Sequence, residues 1–250
     1  MAICTIFCAF VGCASSNPEK IPVEPDINHF ICLPERNSLI FLGVSGPMYK
    51  PEAEIDAARE DAARKAAMYH GLTASFTSTQ GMGTNALDYY SDSNFQMEYD
   101  QELDRYIDKL TYNPEHDVTN SSGAIFIRFS YPGIYPVDIN YKSAKEADGS
   151  PEWIKHPPLE IEGFMAQVGF ARRQLRIRDT IAKANEDAIA NLISRSSSSL
   201  KISDTVNNDS TSSVITQQSS GKLLYFMILE TWINPEDLSV WNLTIARNTN

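Results

Sequence analysis

The chain is short of cysteine and of positive charge, and beyond its opening residues it has no long apolar run. Each shortage excludes something. Lys and Arg together number 21 against 32 Asp and Glu, giving a formal net charge of −11 over 250 residues. That balance argues against a nucleic-acid partner and against a general electrostatic grip on anionic lipid. No apolar segment after residue 12 approaches the 18 residues needed to span a bilayer, so no further membrane span is expected. The cysteines are Cys4, Cys8, Cys13 and Cys32. His29, His70, His116 and His156 are scattered, with no second histidine two to four residues away, so no metal site is expected. Gly43-Val44-Ser45-Gly46 lacks the spacing of a nucleophile elbow, and Gly81-Met82-Gly83 is a lone G-x-G without the third glycine. These patterns predict no cofactor and no enzymatic activity.

What is present begins at the N-terminus. Residues 1–12 carry no charge, and as a helix they reach only about 18 Å, short of a hydrocarbon core of roughly 30 Å. The run therefore reads as the apolar core of a signal peptide, ending in Phe10-Val11-Gly12-Cys13. Those four residues resemble the lipobox of bacterial lipoproteins. The resemblance implies cleavage after Gly12, acylation of Cys13 and attachment to a membrane through that lipid. Met1-Ala2-Ile3 has no Lys or Arg where a signal peptide carries its basic region. Either that region lies upstream of Met1 or Cys13 is not processed. Residues 14–25 turn small, polar and Pro-rich, as a tether does, and 13–36 is assigned to it. With Cys4 and Cys8 removed and Cys13 acylated, only Cys32 remains. One thiol makes no intrachain disulfide, and its apolar neighbours predict a buried, inert group.

Self-comparison finds an internal repeat. Residues 43–79 lie on 169–205 without a gap, placing Ile55, Ala58, Glu60, Asp61 and Ala62 on Ile181, Ala184, Glu186, Asp187 and Ala188. Each copy begins with an apolar stretch ending in Gly43 or Gly169. An amphipathic helix follows, with the stripe Ile55, Ala58, Ala62, Ala66 in the first copy and Ile181, Ala184, Ala188, Leu192 in the second. Pro51 suits a first helical position and Gly71 a stop. Further strands are expected at 106–112 and 124–131, and at 223–233 and 240–247, with turns at Asn113-Pro114 and Asn234-Pro235. The expected fold is α+β: two tandem modules, 37–132 and 159–250, each one amphipathic helix on a mostly antiparallel sheet, joined by a linker over 133–158.

A strand ending in Gly, an Ala-striped helix with Glu-Asp-Ala at its middle, a Ser-rich strand and a Trp-bearing hairpin resemble the LPP-twenty-like family of bacterial surface lipoproteins. The second copy carries the resemblance through Gly169, Ala184, Ala188, Ala190, residues 196–199 and Trp232. The first is degenerate, with Tyr112 where the pattern has Trp. Together the copies cover most of the mature chain. The resemblance implies an outer-membrane or periplasm-facing lipoprotein of the cell envelope, acting as a non-catalytic assembly component, in some members with flagellar or envelope machinery. It transfers no catalytic residue; only Cys13 carries over, through its lipobox.

Three stretches are candidates for contact with a partner or ligand. Tyr89, Tyr90 and Tyr99, interleaved with carboxylates, suit a sugar, peptide or peptidoglycan and define the alternative of a ligand-binding lipoprotein. The alternation of Phe95, Met97 and Tyr99 is also that of a half-buried strand. Arg172, Arg173, Arg176 and Arg178 cluster before the second helix, as a clamp for an anionic group or as a solvated loop paired with carboxylates. Residues 195–220 are dominated by Ser, Thr, Asn and Asp. They read either as a polar edge strand open to strand addition by a protein partner or a second copy, or as a loop over 204–220.

Overall fold

The computed structural model describes residues 28–82, 90–196, 198–207 and 210–249. The lipobox, including Gly12 and Cys13, and also Tyr89, lie outside the described residues. The fold is α+β with antiparallel sheets, as the patterns predict. Strand β1 (His29–Ile31) is followed by β2 (Ser38–Ser45), helix α1 (Pro51–His70), β3 (Leu72–Met82) and β4 (Tyr90–Tyr99). A single helical turn, α2 (Asp104–Ile107), leads to β5 (Val118–Ser121) and β6 (Ala124–Pro132). Then come β7 (Glu160–Ile161), β8 (Phe164–Ala171), α3 (Ile177–Ser196), β9 (Ser198–Asn207), β10 (Ser210–Ile233) and β11 (Val240–Asn248).

Two sheets form. The smaller has the order β2-β6-β5, and the larger runs β4-β3-β10-β11-β8-β7. The long strand β10 organises the larger sheet. Its first half pairs with β3 on one side and β9 on the other, and its second half with β1 and β11. Register shifts between Leu224 and Met227 and between Ile228 and Glu230, with Tyr225 at φ 56°, bend it between the halves. Strands from 72–99 thus share a sheet with strands from 164–248, rather than each stretch holding a sheet of its own.

The helices form where the sequence marks them. Pro51 occupies the first turn of α1, and the Gly71 N–H closes its end on the carbonyls of Ala67 and Met68. Ala58, Ala62 and Ala66 on α1, and Ala184, Ala188 and Leu192 on α3, are fully buried. The small side chains bring each helix axis close to its strand. A Cβ on Gly43 would lie 2.1 Å from the Ala58 carbonyl oxygen, and one on Gly169 would lie 2.0 Å from that of Ala184.

Two expectations need correction. Residues 106–112 are not a strand: Leu103 accepts the N–H groups of Tyr106 and Ile107 in a helical turn, and Thr111 makes only an isolated bridge to Ser130. The turn at Asn113 is an excursion before β5. The hairpin into β6 is made by Ser122 and Gly123, both with positive φ, as a tight two-residue hairpin requires. Of the two readings of 195–220, the strand is the one that forms over the described residues: 198–207 and 210–219 pair residue for residue as a hairpin.

The segment 133–158 is tied into the core. Tyr135 and Trp153 belong to the same buried cluster as Phe41, Phe129, Phe164 and Leu229. The Tyr135 hydroxyl donates to the Tyr225 carbonyl at 3.1 Å. Cys32 is buried, and burial pushes its thiol up to about 12.

Candidate interaction surfaces

A set of contacts made by the first helix recurs 126 residues further on. The Val44 N–H donates to Asp61 Oδ2 at 3.0 Å, and the Phe170 N–H donates to Asp187 Oδ2 at 2.9 Å. Lys65 Nζ donates to Asp61 Oδ2 at 2.7 Å and to the Leu42 carbonyl; Asn191 Nδ2 donates to Asp187 Oδ2 at 3.3 Å and to the Val168 carbonyl at 3.2 Å. Each carboxylate satisfies a strand N–H that no neighbouring strand takes. The loop before each helix matches too. The Met48 N–H donates to Glu54 Oε1 at 2.7 Å, and the Gln174 N–H donates to Thr180 Oγ1 at 2.9 Å. At the tips of these loops stand Tyr49, 99% exposed, and Leu175, 96% exposed.

Arg172, Arg173 and Arg176 lie on the second of these loops, and Arg178 lies in the first turn of α3. Arg172, Arg173 and Arg176 are exposed and Arg178 is half-exposed. Arg176 Nε lies 2.8 Å from Asp179 Oδ2, and Arg178 Nε lies 3.7 Å from Asp179 Oδ1. One carboxylate therefore serves two of the four guanidinium groups. The remaining two, on Arg172 and Arg173, make no ion pair among the described residues. Of the tyrosine group, the backbone of Tyr90 and the whole of Tyr99 are among the described residues. The backbone of Tyr90 starts β4, while Tyr99 is half-buried and packs against the core opposite Leu72. The alternation of Phe95, Met97 and Tyr99 is that of a half-buried strand, packed over Leu72 and Ala74.

The third candidate is the most extended. Strands β4, β3, the first half of β10 and β9 form an antiparallel leaf. Alternate positions 73, 75, 77 and 79 of β3 are Thr, Ser, Thr and Thr. Their partners on β10 are Lys222, Ser220, Gln218 and Thr216. Over these positions the face is polar, so this part of the leaf is held by its ladder more than by burial. Its other face is apolar toward the body, where Leu72, Ala74 and Leu223 pack under Ile189, Leu192 and Ile193 of α3, with Phe76 and Phe95 beside them. The outer edges of β4 and β9 pair with no strand among the described residues. Each is 10 residues long.

One cluster was missed in the sequence. Glu230 is fully buried on β10. Its Oε2 lies 2.6 Å from His29 Nε2 and accepts from Ser143 Oγ and Trp153 Nε1, each at 2.8 Å. The Tyr141 hydroxyl is pushed well above the ordinary tyrosine range by burial, then by the charge of Glu230 and a hydrogen bond to it. The signal was available: Glu230 is the one charge in the apolar run 223–229 and its continuation to Ile233. The cluster fastens β1 and the segment 133–158 onto the sheet.

Comparison with protein-family models, with curated proteins and with solved structures finds no match. No described helix is long and apolar enough to cross a membrane.

Proposed function

We propose that this chain is a lipid-anchored protein of the bacterial cell envelope, outer membrane or periplasm-facing, that acts as a non-catalytic structural and interaction component. The observation that carries the proposal is the polar leaf with its two open edges. Unpaired edge strands accept another strand through main-chain hydrogen bonds, and a soluble protein ordinarily shortens, charges or covers such an edge. Here both are long. The partner is an extended segment of another protein or of a second copy. The recurring contacts support a duplicated ancestry, in which two strand–helix–hairpin units place their hairpins side by side in one leaf. The anchor rests on Phe10-Val11-Gly12-Cys13, and the likeness to LPP-twenty-like lipoproteins supports the same reading.

Proline scanning of the edges tests the interaction. Of two successive residues on an edge strand, one turns its N–H inward to the ladder and the other outward. Proline at the outward member of the pair Gln96 and Met97 on β4 is expected to leave the fold intact and abolish capture of the partner. Undiminished capture from both edges would refute strand addition. The anchor is tested by Cys13→Ala, which should end labelling by a fatty-acid probe and release the protein from the membrane fraction.

A further inference from the structure

The point at which the tether enters the fold and the two loops that precede the long helices lie at one pole of the molecule. A row of hydrogen-bonded neighbours across the larger sheet shows this. The Ile233 N–H donates to the Asn28 carbonyl at 2.8 Å, Ile233 is paired with Val240, and Val240 is paired with Ala171. Asn28 is thus three strand spacings, on the order of 14 Å, from Ala171. The next residue is Arg172. Asn28 also accepts a hydrogen bond from Ser121 Oγ at 3.1 Å, and Ser121 lines a groove shared with Pro47 of the other loop. Beneath both loops lies a single buried cluster containing Phe30, Val44, Ala171, Ile177 and Ile181. The leaf lies at the far end of β10, because that strand runs from Ser210 in the leaf to Ile233 at this pole.

We infer that this pole docks directly on an anionic lipid surface, with Leu175 and Tyr49 entering the interface and Arg172 and Arg173 on the phosphates. Leu175 and Tyr49 are the two most exposed large apolar side chains described, and they stand at matched positions of the two loops. An aliphatic and an aromatic side chain held out in this way suit the headgroup boundary. Guanidinium groups suit phosphate oxygens, and the loop 172–176 with the first turn of α3 sets four arginines against Asp179 and the exposed Glu236 and Asp237 of the neighbouring turn, a local positive excess. The whole-chain charge of −11 opposes a general grip on such a surface; this loop is a local exception to it. In the first loop Lys50 is offset by the exposed Glu52, so that loop contributes Tyr49 rather than charge. Docking here would leave the leaf, with its open edges, at the end of β10 remote from the bilayer. The inference rests on the proposed lipid anchor, since the tether from Cys13 is what brings this pole to a membrane.

The test is flotation of the unacylated chain from residue 13, carrying Cys13→Ser and keeping every described element. The vesicles are phosphatidylcholine alone or phosphatidylcholine with phosphatidylglycerol. Binding to the anionic vesicles is expected, with loss on raising salt. The double substitution Arg172→Glu, Arg173→Glu should weaken it about tenfold or more, and Leu175→Asp should weaken it without altering unfolding. Equal binding to both vesicle types, no binding to either, or full binding by the double variant would overturn the inference. So would photo-crosslinks from position 175 in cells that yield only protein adducts. Fatty-acid labelling of Cys13 in cells reads the anchor separately. Labelling without vesicle binding sinks the docking alone; vesicle binding without labelling sinks the anchor alone.

Discussion

Asp61 and Asp187 perform the same task 126 residues apart, each accepting the backbone N–H of the strand residue just past a glycine, Val44 or Phe170. Their second partners differ. Asp61 also pairs with the ammonium group of Lys65, which is buried, whereas Asp187 takes the neutral amide of Asn191. Removing the first carboxylate therefore strands a charge as well as an N–H. Asp61→Ala is expected to cost about 3–5 kcal/mol, because an unpaired buried ion is left behind. Asp187→Ala should cost about 1–3 kcal/mol, the penalty of unsatisfied neutral groups. Urea unfolding of the two variants checks the order. Asp61→Ala,Lys65→Asn should recover part of the loss.

The two glycines make a second prediction. Gly43→Ala and Gly169→Ala each place a methyl group about 2 Å from a helix carbonyl oxygen, where nothing flexible can give way. Each should lower stability by about 3 kcal/mol, the upper range for overpacking. Gly46→Ala, with open space around it, serves as the control and should be close to neutral. Thermal or urea unfolding that ranked Gly46→Ala with the other two would refute the close strand–helix contact.

The glycine, the alanine stripe and the aspartate are all in register in the sequence, which is why the two strand–helix units were legible there. Periodicity shows a buried face, and Pro51 and Gly71 mark the helix ends. What escaped was governed by longer-range or backbone effects. Leu103, Tyr106, Ile107 and Leu110 have helical spacing, but Asn113-Pro114 carries the stronger local turn signal, and the hairpin is in fact turned by Ser122 and Gly123. The leaf has too little apolar residue for its strands to show by burial alone; residues 204–207 and 210–220 are strand because β9 and β3 both supply ladder partners to β10. The arginine loop was legible as a cluster, but its nearness to the tether came only from the row Asn28, Ile233, Val240, Ala171. Glu230 was invisible as a site because its donors arrive from 201 residues away in His29 and 77 in Trp153.

That carboxylate sets a third prediction. Glu230→Ala deprives His29, Ser143 and Trp153 of their common acceptor and should destabilise the fold by about 3 kcal/mol or more. Trp153→Phe removes one donor and keeps the ring in the core, so its cost should be near 1 kcal/mol. Limited proteolysis provides an independent check. The segment 133–158 should become cleavable in Glu230→Ala before the rest of the chain. Uniform cleavage would show that the carboxylate does not fasten this segment.

Cys32 reports on the same region. Burial pushes its thiol up to about 12, which leaves the reactive thiolate scarce at neutral and mildly alkaline pH. In a chain with Cys4, Cys8 and Cys13 replaced by serine, a thiol reagent should modify the native protein at the rate of its opening and the urea-unfolded protein in the ordinary way. Prompt native labelling would contradict the burial of β1 against the smaller sheet.

The most direct test of the interaction proposal is site-specific photo-crosslinking in the native envelope, with the probe at Gln96 on β4, at Lys201 on β9 and at Lys183 on the exposed side of α3. Strand addition predicts discrete adducts from one or both edge positions, to a second copy or to an envelope protein, and none from position 183. Adducts from position 183 alone, or none from either edge while the protein is membrane-bound, would contradict it.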